Sequence, residues 1–253
     1  MLPKLILLTN DDGVNSDGIK ALKKALDPLG EVVVFAPDSE RSGSGHSLTM
    51  HEPVRIKELE KNIFSVSGFP ADCVYAALHG VLKRKPDMIF SGINRGANMG
   101  VDVYYSGTVA GVRQGVIDGL SNGISVSLVV DKNETQFFWD DAANFVKDLA
   151  IKMLNNGYTG EGFINVNYPN ISKDKIKGVA ITTMGDRHYV KEVKWGKDPR
   201  GGDYCWLWGD YANFSNIPGT DCVAVDNGYI SVTPILLDVT DRSMVDELKK
   251  WNL

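Results

Sequence analysis

Two adjacent carboxylates, Asp11 and Asp12, follow the unbroken apolar run Leu5-Ile6-Leu7-Leu8 and precede Gly13. Without a cation, such neighbours repel by about 4 kcal/mol at 4 Å when the effective dielectric is near 20. The pair therefore reads either as a divalent-metal site or as an Asx-rich turn that caps a helix. On a continuing strand the two side chains would point to opposite faces, so only a turn at Gly13 brings both to one ion. Two further polar stretches carry matching chemistry, 38–47 and 91–98. Together Asp11, Asp12, Ser42 and Asn94 offer oxygen donors and no soft ligand, which suits Mg²⁺, Mn²⁺ or Ca²⁺ better than zinc or copper. Taken singly, Ser42 and Asn94 read as loop caps.

A fourth stretch, Tyr105-Ser106-Gly107-Thr108-Val109, opens a helical pattern. Ser106 and Thr108 suit a plain N-cap, but a helix start is also an anion site, because its free N–H groups and positive dipole end face outward. Beside a metal ion the natural anion is a phosphate. Arg41 and Arg95 lie on the facing loops, where they could add charge-assisted bonds. His46 suits either donation to a leaving-group oxygen or bracing of the glycine-rich loop 43–45.

The elements that must position these groups are legible. The runs Leu5–Leu8, Val32–Phe35 and Met88–Phe90 are apolar without alternation, as expected of strands buried on both faces of a parallel sheet. Helical spacing recurs at Ile19, Leu22 and Leu26, at Val74 to Val81, from Ser106 through Val116, and from Phe138 to Met153. Strands alternating with helices predict an α/β, Rossmann-like, doubly wound sheet. Its strands' carboxyl ends would gather the loops after the first three buried strands at one edge. Beyond residue 160 the pattern changes to strands without intervening helices. This divides the chain into a catalytic domain, 1–158, and a β-rich C-terminal extension, 159–253. The extension holds a protruding hairpin at 188–208 and a short terminal helix. Tyr204, Trp206 and Trp208 share one face by two-residue alternation, which suits either an oligomer interface or packing on the chain's own domain.

Bulk properties restrict the functional classes. A net charge of −5 over 253 residues argues against a nucleic-acid polymer or a membrane surface as partner. Three cysteines, Cys73, Cys205 and Cys222, have no CxxC spacing and suggest reduced thiols. The N-terminal run ends at two aspartates and lacks the form of a signal peptide, and no stretch approaches the ~18 apolar residues of a membrane span. The expectation is a cytoplasmic protein.

At these positions the chain resembles the SurE family of survival-protein nucleotidases. The resemblance runs through Thr9-Asn10-Asp11-Asp12-Gly13, Ala36-Pro37-Asp38, Glu40-Arg41-Ser42, Gly45-His46-Ser47, Pro70-Ala71-Asp72-Cys73-Val74, Ser91-Gly92-Ile93-Asn94-Arg95-Gly96, Asn98-Met99-Gly100 and Ser106-Gly107-Thr108-Val109. It continues at Gly219-Thr220-Asp221 and Gly228–Pro234. The resemblance implies a metal-dependent phosphatase acting on nucleoside 5′- and 3′-monophosphates, some members also trimming short polyphosphate. It implies Asp11, Asp12, Ser42 and Asn94 as ligands of one Mg²⁺ or Mn²⁺, and Asn98, Ser106, Gly107 and Thr108 on the phosphate side. It also implies a homodimer or tetramer built through the C-terminal region. The chain departs from the family pattern at Phe69, where a threonine is usual before Pro70; this removes a side-chain hydrogen bond and bears on nucleotide preference. The alternative is a metal-dependent nucleotide-binding or sensor protein without turnover. A receiver-like module needs an aspartate after the third strand, where Ser91-Gly92-Ile93-Asn94 has none.

Overall fold

Successive residues of strand β1 (Lys4–Thr9) enter opposite apolar layers, Ile6 and Leu8 on one side and Leu5 and Leu7 on the other. That two-sided burial is what the uninterrupted apolar run demanded. The computed structural model describes residues 3–157 and 160–251, without the side chains of Lys191 and Trp208. In chain order β1 is followed by α1 (Asp17–Leu26), β2 (Gly30–Pro37), β3 (Ile56–Glu60), β4 (Ile63–Val66) and α2 (Pro70–Ala76), the last prolonged by a π-helical turn, Ala77–Val81. Next come β5 (Met88–Arg95), α3 (Gly107–Ile117), β6 (Gly123–Val129), α4 (Trp139–Asn156) and β7 (Gly162–Pro169). The chain continues through β8 (Val179–Ile181), β9 (Arg187–Lys197), β10 (Asp203–Phe214), α5 (Asp221–Asp226), β11 (Ile230–Leu236) and α6 (Arg242–Leu248).

Nine strands form one sheet in the order β3-β4-β2-β1-β5-β6-β7-β11-β8. The six from β4 to β7 are mutually parallel, while β3 and β11 join antiparallel at the two flanks. From β1 the chain moves outward to β2 and then returns to β5 on the other side of β1. The topological switch point, where such sheets bind ligands, therefore lies between the carboxyl ends of β1 and β5. Helices α1 and α4 cover one face with Ile19, Leu22, Ala142 and Val146, and α2 and α3 cover the other with Val74, Val109 and Val112. Among the described residues no helix is long and apolar enough to cross a membrane.

The expected α/β doubly wound sheet is present, with one correction beyond residue 160. A helix, α5, stands between β10 and β11 where only strands were expected. Its six residues span less than two turns, too short for a helical period to register in sequence. Strands β7, β11 and β8 extend the main sheet, whereas β9 and β10 pair only with each other. The domain boundary drawn at Tyr158 and Thr159 falls outside the described residues.

Candidate active site

The turn after β1 is fixed from within. Asn10 Nδ2 donates to Gly13 O (2.9 Å) and to Ser16 Oγ (2.8 Å), and Gly13 takes φ +96°, so the chain bends where both carboxylates need it to. Each carboxylate is then gripped by a different element. The Thr108 hydroxyl donates to Asp11 Oδ1, and the Thr108 backbone also bonds this carboxylate. The backbone N–H of Arg95 donates to Asp12 Oδ2 at 3.0 Å. The loop after β2 closes on the same point through Arg41 N–H, which donates to Asp11 O at 2.7 Å. Ser42 adjoins Arg41 in this loop, and Asn94 adjoins Arg95 at the end of β5. Ser42 Oγ donates to Glu40 at 2.8 Å, and Asn94 Nδ2 donates to Gly96 O at 2.9 Å, which leaves the Asn94 amide oxygen as its donor atom toward a ligand.

Helix α3 begins against this pair. Ser106 Oγ accepts from Val109 N–H at 3.0 Å, a regular N-cap. Gly107 is required by close approach, since a Cβ there would stand 2.9 Å from the Cβ of Asp11 and 2.8 Å from Ser44 Oγ. The first anion to reach the helix N-terminus is thus Asp11 itself. It is 4% exposed, and burial pushes its carboxyl up to about 6, with Asp12 adding to the rise and the Thr108 hydroxyl opposing it. Burial also raises Asp12; the Arg95 N–H opposes this and the charge of Glu40 adds to it. Among the described residues no three His, Cys, Asp or Glu side chains gather into a metal cage. An ion here would take the two carboxylates and neutral oxygens, a donor set that fits a hard divalent cation.

The remaining sequence candidates separate. Asn98 reaches the same sheet edge and is buried, but its Nδ2 donates to Ser127 Oγ (2.8 Å) and its N–H to Asn167 Oδ1 (2.9 Å). These bonds brace Asn98 from β6 and β7, and its Nδ2 carries a second proton besides the one given to Ser127. Arg95 turns its guanidinium over the Phe137 ring, 4.7 Å from the centroid, and contributes its backbone to the site. His46 Nε2 bonds Gln114 Oε1 at 2.8 Å, on the flank of α3 about two turns from the helix start. This bond braces the glycine-rich loop against the helix.

The model of the family described as survival protein SurE matches residues 6–191 of this chain. The chain belongs to the SurE family. A relative named 5′-nucleotidase SurE from Geotalea daltonii is 44% identical over 248 residues, 98% of this chain and 99% of its own. One of the same name from Geobacter sulfurreducens is 42% identical, with 98% and 94% covered. The crystal structure of the SurE protein from Aquifex aeolicus has a TM-score of 0.84 at 40% identity, covering 98% of this chain and 100% of that one. The site candidates from Asp11 to Thr108 lie inside the segment that matches the SurE model.

Several groups escaped the sequence reading of this SurE chain. Ser44 has a buried hydroxyl without a partner, poised beside Gly107 and Asp11. Asn165 and Asn167 both donate to Asn98 O (2.8 and 3.0 Å), and Ser125 donates to Asn165 (2.9 Å). Their signal was present as two-residue alternation, Ser-Val-Ser in β6 and Asn-Val-Asn in β7. Asp102, in the 3-10 turn Gly100–Tyr104 just before Ser106, takes an ion pair from Arg187 and a hydrogen bond from Tyr189 (2.7 Å), both on β9. Asp221 accepts Gly100 N–H (2.9 Å) and Gly185 N–H (2.7 Å). The loop that delivers α3 is therefore anchored by the distal half of the chain.

Proposed function

We propose that this chain is a divalent-metal-dependent phosphatase that hydrolyses nucleoside 5′-monophosphates to nucleoside and phosphate. The observation that carries the reading is the placement of Asp11: a buried carboxylate beside Asp12, seated on the first turn of a capped helix at the topological switch point. Relatives matching over nearly the whole chain bear the name 5′-nucleotidase. Asp11, Asp12, Ser42 and Asn94 would hold one Mg²⁺ or Mn²⁺. Such an ion, when bound, supplies a Lewis acid for a phosphoryl oxygen and a water of lowered pKa.

The chain's own groups do the positioning. The α3 start presents the Gly107 N–H and the positive dipole end to the phosphoryl oxygens, where charge grows as the transferring group loosens. Ser44 Oγ, buried and unpartnered, donates to the same group. Thr108 fixes Asp11 through Oδ1, which leaves Oδ2 to orient the attacking water and receive its proton. Through Asn98, Ser127 on β6 and Asn167 on β7 hold the loop after β5 in place.

Assembly belongs to the same reading: a homodimer or tetramer through the C-terminal region, in the cytoplasm. Trp195 is 74% exposed and Leu207 83%, and no residue of α6 is buried. Phosphate release from nucleoside 5′- and 3′-monophosphates and from tripolyphosphate, each with Mn²⁺ or with EDTA, tests the proposal. Metal-dependent release from a 5′-monophosphate supports it. Tight nucleotide binding without release would favour the sensor alternative.

A further inference from the structure

Arg41 leads from the carboxylate pair into a second concavity. A cavity of about 400 Å³ lies between the loop after β2 and the segment joining β4 to α2, bounded by Arg41, Thr49, Glu52, Arg55, Ser67 and Phe69. The backbone of Arg41 bonds Asp11 O at 2.7 Å, so this wall of the cavity is also part of the reaction site. Its guanidinium donates to Ser67 O (3.1 Å) and Asp38 Oδ1 (3.2 Å) and stands 5.7 Å from the centre of the Phe69 ring. A planar cation and an aromatic ring thus border one volume of small-ligand size.

The ring is held in place. Phe69 N–H donates to Asp72 Oδ2 at 2.8 Å, and buried Asp72 also accepts from Thr49 N–H (2.8 Å) and Thr49 Oγ1 (2.7 Å). Having no side-chain oxygen, Phe69 completes only half of a capping box. Charge selects the occupant. Arg41 is matched by Asp38, and the remaining charges on the walls are one guanidinium, Arg55, and one carboxylate, Glu52. A near-neutral lining does not suit a polyanionic tail. It does suit a neutral planar heterocycle, which finds two stacking surfaces and acceptors in Glu52 and Ser67 O for its N–H edge.

We propose that this cavity is the nucleobase subsite, the base stacking on Phe69 and Arg41 while its 5′-phosphate stands at Asp11 and the start of α3. The proposal rests on the nucleotidase reading above. The test compares kcat/KM for AMP with that for ribose 5-phosphate, the same ester without a base, in the full-length protein and in Phe69→Ala. Loss of one base–aromatic stack should lower the AMP to ribose 5-phosphate ratio about tenfold, mainly through KM for AMP, and Phe69→Tyr should restore most of it. An unchanged ratio in an active Phe69→Ala enzyme overturns the subsite, as does an equal fall on both esters, which marks a purely structural role. A selective loss of tripolyphosphate cleavage would also overturn it, by making the occupant a polyanion. Wild-type protein inactive on both esters would instead sink the nucleotidase reading itself.

Discussion

Asp11 is a carboxylate buried beside a second one, a setting that disfavours its charge. Its carboxyl is raised from 3.8 to about 6, so between those values the folded protein keeps a proton that the unfolded chain has lost. The stability linked to this group is complete below pH about 4 and is lost as pH rises through about 6, a change of about 3 kcal/mol in the metal-free protein. Thermal melts in EDTA should therefore give a Tm that declines from pH 5 to pH 7.5. Asp11→Asn, which keeps an oxygen for Thr108 but carries no charge, should flatten that decline and melt higher than wild type at pH 7.5. An identical slope in both proteins would contradict the assignment of cost to this carboxylate. The sequence exposed Asp11, Asp12 and Thr108 because their residue types and neighbours are distinctive. Ser44 stayed hidden: a serine between glycines reads as loop, and its burial exists only once α3 packs on β1. The braces on Asn98 stayed hidden for a similar reason, since sequence cannot reveal which partners its amide has found.

At the element scale, the start of α3 is set by contacts from far along the chain. The turn before Ser106 is tied to β9 through Asp102, Arg187 and Tyr189, with the Arg187 guanidinium 4.3 Å from the centre of the Tyr211 ring. Arg187→Ala would leave Asp102 as a largely buried, uncompensated charge and should destabilise the protein by about 3 kcal/mol. Combining it with Asp102→Asn should recover part of that loss, because the double change removes the charge as well as its partner. Denaturant melts of the single and double variants provide the check, and strictly additive losses would show that the two residues are not coupled. Strands β1, β2 and β5 were legible because parallel strands buried on both faces must be continuously apolar. Helix α5 and the far reach of β10 were not. One is too short for a period, and the other ends in an exposed ribbon whose polar and apolar residues do not sort by burial.

For the whole molecule, the sheet order places three loops and one helix start at a single edge, which the alternation of strands and helices already implied. The surface beyond that edge was less legible. Sequence alternation pointed to Tyr204, Trp206 and Trp208 as one aromatic face, and the Trp208 side chain is not among those described. In the ribbon, Trp195 pairs with Cys205 and Val193 with Leu207, which makes the opposite face apolar as well. Leu207→Asp is expected to shift the native mass by light scattering toward the monomer, while an unchanged oligomer would place the interface elsewhere. All of these features converge on one centre, where Asp11 and Asp12 would hold the proposed ion. The most direct measurement is the rate of phosphate release from AMP as Mn²⁺ is titrated into metal-stripped wild type and Asp12→Asn. Wild type should go from no release to saturable release, and Asp12→Asn should lose at least about 100-fold at every metal concentration. Equal activation of the two proteins by the same Mn²⁺ concentrations would contradict the assignment.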